Sequence, residues 1–252
     1  MTYPPGHGLL RGKRVLITAA AGTGIGFATA RRCIEEGATV FVSDIHERRL
    51  RESVEKLALP AAASRSCDVT RESDVRALVA AAIATLGGID ILVNNAGLGG
   101  SAAVIDMTDD QWSRVLDVSL TSVFRMTRAV LPHLYSQKSG AIVNNASVLG
   151  WRAQPLQAHY AAAKAGVMAF TRCAALEAAE YGVRINAVAP SIAMHEFLNR
   201  VTHPDVLADL ERREAFGRSA QTWEIANVII FLASDLASYM TGEIVSVSSQ
   251  RA

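Results

Sequence analysis

The sequence predicts a single doubly wound α/β domain, with helices on both faces of a parallel sheet, and three observations predict it. Short apolar runs alternate with longer amphipathic stretches almost from end to end. The runs are rich in β-branched residues and leucine, the pattern of strands buried on both faces. No repeat, low-complexity tract or Pro/Ser-rich linker divides the 252 residues, so the βαβα alternation reads as one domain over 1–252.

Along the chain, an N-terminal tail precedes RVLITA (14–19), the first strand, and a helix over 25–36. ATVFVSD (38–44) and SRSCDV (64–69) follow as strands, then a helix over 71–86. IDILVNN (89–95) leads into a long helix over 111–136, and AIVNNAS (141–147) into another over 158–181. VRINAVAP (183–190) is the sixth strand, and a helix over 222–234 precedes the last, EIVSVSS (243–249). The stretch 191–220 reads as free of strand, with the length and irregularity of a substrate-covering lid.

Composition narrows the function. A formal charge of +1 offers no basic face for nucleic acid. Apolar runs such as VIIFLA (228–233) fall far short of the roughly 20 residues of a membrane span, and the start shows no secretory signal. Cys33, Cys67 and Cys173 lie far apart without CxxC spacing, which argues against a zinc site or disulfide scaffold. That usage fits a reducing cytoplasm and predicts no bound metal.

The first strand runs into TAAAGTGIG, a glycine-rich turn opening a helix. Gly22, Gly24 and Gly26, with Thr23 and Ile25 between them, let the backbone approach a pyrophosphate at a helix N-terminus. Any tight βα turn can use glycine, so a second feature matters. Asp44 ends the next strand, where its carboxylate can accept both ribose hydroxyls and repel a 2′-phosphate, favouring NAD over NADP. It can equally cap the helix that follows. His46, Arg48 and Arg49 soften the preference or simply form a wet helix face. Asp68 is placed to meet an adenine amino group, and Asn95, Ala96 and Gly97 close the fourth strand on the same sheet edge; each alone reads equally as a cap or turn, and their common location is the argument.

HYAAAKAG (159–166) sets Tyr160 and Lys164 one helical turn apart among small residues. A phenol of ordinary pKa about 10 is too weak a base at neutral pH. A neighbouring ammonium favours the phenolate, and an oxidised nicotinamide lowers the value further. Tyr160 then takes the proton of an alcohol, or returns it to a ketone, while Ser147 at the fifth strand's end holds the oxygen.

These motifs together resemble the short-chain dehydrogenase/reductase family over essentially the whole chain. The match runs through Gly22–Gly26, Asp68–Val69, NNAG (94–97), Ser147, the YxxxK of Tyr160 and Lys164, and RINAVAP (184–190). The resemblance implies a seven-stranded Rossmann-type sheet, a homotetramer, Tyr160 as acid/base and Ser147 as stabiliser of the reacting oxygen. It also implies that Lys164 binds the nicotinamide ribose and that Ile192 contacts the carboxamide. Three departures stand out. TAAAGTGIG carries one residue more than the family's TGxxxGxG, with Ala19 in place of the first glycine. Ser119 stands where the family has an asparagine that holds a relay water, so the relay is rearranged or slowed. His195 stands where a threonine is expected.

TAAAGTGIG, NNASVLGWRAQ, HYAAAKAGVMAFTRC and RINAVAPSIA are similar to actinobacterial dehydrogenases of steroid C/D-ring degradation, which act on methylindane carboxyl-CoA thioesters. On that resemblance Leu98, Val148, Leu149, Trp151, Met194 and Phe197 are candidates to line a fused-ring slot. Arg152, His195, Arg200, Arg212 and Arg213 are candidates to meet a CoA phosphate, the last three equally readable as a solvated face. Two alternatives stay open: a 3-oxoacyl-thioester reductase, and a dinucleotide-binding sensor or scaffold with weakened turnover.

Overall fold

A computed structural model describes residues 2–196, 198 and 204–249. Seven strands form one parallel sheet in the order β3-β2-β1-β4-β5-β6-β9. They are β1 Arg14–Ile17, β2 Thr39–Asp44, β3 Ser64–Ser66, β4 Ile91–Asn94, β5 Gly140–Asn145, β6 Val183–Pro190 and β9 Ile244–Val247. Because every ladder is parallel, all seven C-terminal ends share one edge, and the chemistry-bearing residues follow those ends.

Alternation along the strands divides the core in two. Val15, Ile17, Val40, Val42, Ile91 and Val93 point to the face covered by α1 (Ile25–Glu35) and α8 (Thr222–Ala233). Leu16, Phe41, Leu92, Ile142 and Ile185 point the other way. They pack there on α3 (Glu72–Leu86), α5 (Ser122–Gln137) and α6 (Ala158–Ala179). With a period of two and both faces covered by helices, the strands are mainly apolar on both sides.

The structure corrects several expectations. The long helix near 111–136 is α4 (Asp109–Leu116), a π-helical turn over Asp117–Thr121, and α5. The third strand stops at Ser66, because β2 offers partners only as far as Asp44. The stretch 191–220 is not free of strand. Its β7 (Ala193–Met194) pairs in parallel with β8 (Ala220–Gln221), and α7 spans Pro204–Arg213. The helix implied by Arg48 and Arg49 is α2, Glu47–Lys56.

Nor is the N-terminal segment loose. Glu36, fully buried at the end of α1, accepts from His7 N (2.9 Å) and Leu9 N (3.0 Å) and pairs with Arg32 at 2.7 Å. Tyr3 donates to Glu35 at 2.6 Å and meets Trp223 of α8 edge to face, with ring centroids 5.4 Å apart. Glu36→Ala leaves the Arg32 guanidinium buried without this partner. It is expected to cost roughly 3–5 kcal/mol in urea unfolding; a loss below about 1 kcal/mol would mean the strap contributes little.

Candidate active site

The glycine-rich turn carries its extra residue in an unusual way. Ala19 adopts φ 52°, a left-handed conformation where glycine would be at ease, and Gly22 adopts φ 88°. Three successive amides lean toward β2 and α2: Ala20 N to Ser43 O (2.9 Å), Ala21 N to Asp44 Oδ2 (3.2 Å) and Gly22 N to Ser53 Oγ (3.0 Å). The α1 N-terminus beyond them has no side-chain cap. A methyl group built on Gly22 or Gly24 would meet nothing within 4 Å, whereas one on Gly26 would collide with Ala19 O and the Asn95 amide. Gly26 thus serves helix–sheet packing, and the open cradle at Gly22 and Gly24 fits a pyrophosphate on the helix N-terminus.

Asp44 is buried, and each of its oxygens accepts one amide, Oδ1 from His46 (2.9 Å) and Oδ2 from Ala21. A carboxylate has further lone pairs, so ribose hydroxyls remain within its capacity. Burial raises its pKa, opposed by the Ala21 amide and the Arg49 charge. Arg48 is drawn to Glu52 at 2.9 Å instead. Asp68 Oδ1 accepts from Thr70 N and Oγ1 (3.0 and 2.7 Å), a local turn, while the residue also lines a cleft of about 840 Å³. Ile45 and Val118, which the sequence reading missed, line the same cleft. The available signal for Ile45 was its place directly after the strand-end aspartate; it is 57% exposed despite being apolar. Val69 packs against the core beside them.

Asn95 closes the strand ends together. Its amide donates to Thr18 O (3.2 Å) and Ala19 O (3.0 Å), and its Oδ1 accepts from Asn145 at 3.0 Å. Thr18 Oγ1 in turn accepts from Asn95 N and Ala96 N (3.0 and 3.2 Å). Gly97 lies under Lys164, whose Nζ is 3.4 Å from where a Cβ would stand.

Ser147, Tyr160 and Lys164 converge. The Ser147 hydroxyl lies near the Tyr160 phenol, and Ser147 Oγ accepts Leu149 N at 3.2 Å. Lys164 is 2% exposed and donates to Asn145 O at 2.5 Å, with Nζ 5.5 Å from the Tyr160 ring centroid. The electrostatic expectation needs correction. Burial pushes the Tyr160 phenol up, partly offset by the nearby Ser147 hydroxyl and not by the Lys164 ammonium. Loss of solvation pulls Lys164 down to about 8. The ammonium lies over the ring and points to a carbonyl, so it does not bond the phenolic oxygen.

Ser119 sits fully buried in the π-helical turn. Its hydroxyl accepts from Leu98 N (2.9 Å) and donates to Leu98 O (3.0 Å). Its polar capacity toward the loop is therefore spent on anchoring the segment after Gly97. That loop is pinned again by Gln157 Nε2 to Gly100 O (2.6 Å) and Ala102 N to Leu156 O (3.1 Å).

Among the ring-slot candidates, Val148 is buried and belongs to the packing. Leu98, Leu149 and Met194 are half-buried, and Trp151 is 51% exposed. Ile192 is also half-buried and accepts Ala220 N at 2.9 Å, and His195 Nδ1 accepts Leu198 N at 3.3 Å. Burial lowers the His195 pKa. Glu196 N donates to Thr23 Oγ1 at 3.3 Å, joining the covering segment to the glycine-rich turn. Arg212 and Arg213 pair with Asp209 at 3.4 and 2.6 Å, a solvated helix face. Phe197 and Arg200 lie outside the described residues.

A protein-family model described as Enoyl-(Acyl carrier protein) reductase matches residues 19–249. The chain is 61% identical over 249 residues to the (5R,7aS)-5-hydroxy-7a-methyl-1-oxo-2,3,5,6,7,7a-hexahydro-1H-indene-carboxyl-CoA reductase of Mycobacterium tuberculosis, covering 97% of this chain and 95% of that one. It is 39% identical over 243 residues to a 3-oxoacyl-[acyl-carrier-protein] reductase of Thermotoga maritima, covering 94% and 97%. The crystal structure of a short chain dehydrogenase from Mycobacterium smegmatis superposes with a TM-score of 0.89 at 57% identity, covering 100% of this chain and 98% of that one.

The Lys164 ammonium carries a stability cost of definite sign. Its folded pKa of about 8 lies below the ordinary 10.5, so the folded state is penalised below about 8 and relieved as pH rises toward 10.5. Lys164→Met is therefore expected to gain on the order of 2–3 kcal/mol in urea unfolding at neutral pH. The gain should fade across that alkaline window; a pH-independent difference would show that the ammonium is not desolvated.

Proposed function

We propose that this chain, which belongs to the short-chain dehydrogenase/reductase family, interconverts a secondary alcohol and a ketone on a fused-ring substrate carried as a coenzyme A thioester. Family membership makes it an oxidoreductase that uses a nicotinamide dinucleotide. The observation that carries the substrate class is the 61% identity, over nearly the full length of both chains, to a reductase of a bicyclic carboxyl-CoA. Identity to the 3-oxoacyl reductase is far lower, at 39%.

The residues act as follows. The hydroxyls of Ser147 and Tyr160 converge, so one substrate oxygen can accept a hydrogen bond from both. Tyr160 gives its proton to that oxygen in reduction and takes it back in oxidation. Burial raises the phenol pKa, so before reaction the hydroxyl carries its proton and can donate a hydrogen bond to that oxygen. Lys164 keeps two N–H donors beyond its bond to Asn145 O, enough to hold ribose hydroxyls beside the phenol. The bound nicotinamide dinucleotide supplies the hydride exchange. Ser119 acts through Leu98, fixing the wall beside the reacting oxygen.

NAD is the cofactor on this reading. Asp44 presents a negative charge to the ribose edge, and Thr23, Gly24, Ile25 and Gly26 offer the helix N-terminus to the pyrophosphate. Asp68, Val69, Ile45 and Val118 frame the adenine, and Ile192 serves the carboxamide. Residues 191–220 cover the substrate, with Leu98, Leu149, Trp151, Met194 and His195 against the ring and Arg152 at the mouth. The chain works as a cytoplasmic homotetramer. Supporting this are free cysteines and large exposed apolar side chains at Phe124, Leu176, Leu236 and Tyr239. Among the described residues, no helix is long and apolar enough to cross a membrane.

Absorbance of the reduced dinucleotide, followed with ring ketones and alcohols as free acids and as CoA thioesters, tests the substrate. Turnover confined to linear 3-oxoacyl thioesters would sink it. Tyr160→Phe is expected to lower kcat roughly 10²–10⁴-fold while calorimetric NAD binding holds; undiminished turnover would remove Tyr160 from the chemistry. Asp44→Ala is expected to relax discrimination against NADP and also to weaken NAD, because Ala21 N loses its acceptor. A wild type that already prefers NADP contradicts the ribose role.

A further inference from the structure

The lengthened turn raises a physical problem that α2 answers. An extra residue between β1 and α1 adds backbone that must go somewhere, and a flexible bulge would blur the aim of the α1 amides. In the structure the bulge is tacked down, amide by amide, on Ser43 O, Asp44 Oδ2 and Ser53 Oγ. The first two acceptors belong to β2, beside which any turn leaving β1 must pass.

Ser53 is different. It lies on the buried face of α2 with Leu50 and Val54, and is itself 2% exposed. Serine is a poorer helix-interior residue than alanine, and a buried hydroxyl is costly unless it is bonded. Its bond is to the N–H of Gly22, the residue whose φ of 88° turns the chain toward Gly24 and the start of α1.

We propose that Ser53 is a positioning residue of the dinucleotide site, acting through Gly22 to hold the lengthened turn so that the amides of Thr23 to Gly26 keep a fixed aim at the pyrophosphate. The proposal rests on the dinucleotide reading above. Ser53 touches no ligand itself. The adenosine end, framed by Asp44, Ile45 and Asp68, does not depend on it.

Isothermal titration of the full chain with NAD and with ADP, and with adenosine as a competitor, separates the possibilities. Ser53→Ala is expected to weaken NAD and ADP alike by roughly five- to tenfold, the worth of one neutral hydrogen bond, and to leave adenosine unchanged. KM for the dinucleotide should rise by the same factor while kcat at saturation holds. A folded Ser53→Ala protein that binds NAD as the wild type does would overturn the proposal. So would an equal loss for adenosine, which would mean that α2 had shifted as a body. A wild type that binds neither NAD nor ADP would instead bring down the dinucleotide reading itself, and the role of Ser53 with it.

Discussion

An ammonium group withdrawn from water sets the terms for its surroundings. Lys164 sits where its charge is poorly screened, and the protein compensates with the carbonyl of Asn145 and the face of the Tyr160 ring. That carbonyl is accurately placed because Asn145 is the last residue of β5 and its side chain is bonded to Asn95. Asn95 is bonded in turn to the backbone of Thr18 and Ala19. One chain of amides therefore connects the lysine to the root of the glycine-rich turn, across three strand ends.

The opposite face of the sheet carries a second polar chain. Asn94 donates to Thr127 and Asn144, and Asn144 donates to Thr171, all buried between the sheet and helices α5 and α6. Buried polar chains of this kind tolerate few alternative packings, because each displaced member leaves a partner unsatisfied. They hold the strands and α6 in one arrangement, and the site's loops are mounted on that frame: Leu98 through Ser119, Gly100 through Gln157, Glu196 through Thr23.

What could be read in advance follows the range of the forces involved. VRINAVAP was legible to both ends because a mainly apolar run, broken only by Arg184 and Asn186, has a glycine just before it and a proline closing it. Ser147, Tyr160, Lys164 and the glycine turn were legible because their chemistry demands particular side chains at particular spacings. β7 and β8, two residues each, are too short to show a period. The π-helical turn keeps a helix's residue pattern while changing its hydrogen bonds. The phenol's shift went the other way from expectation because burial outweighs a charge that faces elsewhere. The partners of Ser119, Ser53 and Glu36 lie far along the chain, and no local pattern announces them.

The clasp of Tyr3 on Trp223 joins nearly the first residue of the chain to one of the last helices. During translation the tyrosine leaves the ribosome long before the tryptophan has been made. The segment around Tyr3 must therefore wait, with α1 already able to form, until α8 has been made. Native closure of this edge comes after six of the sheet's seven strands have been synthesised.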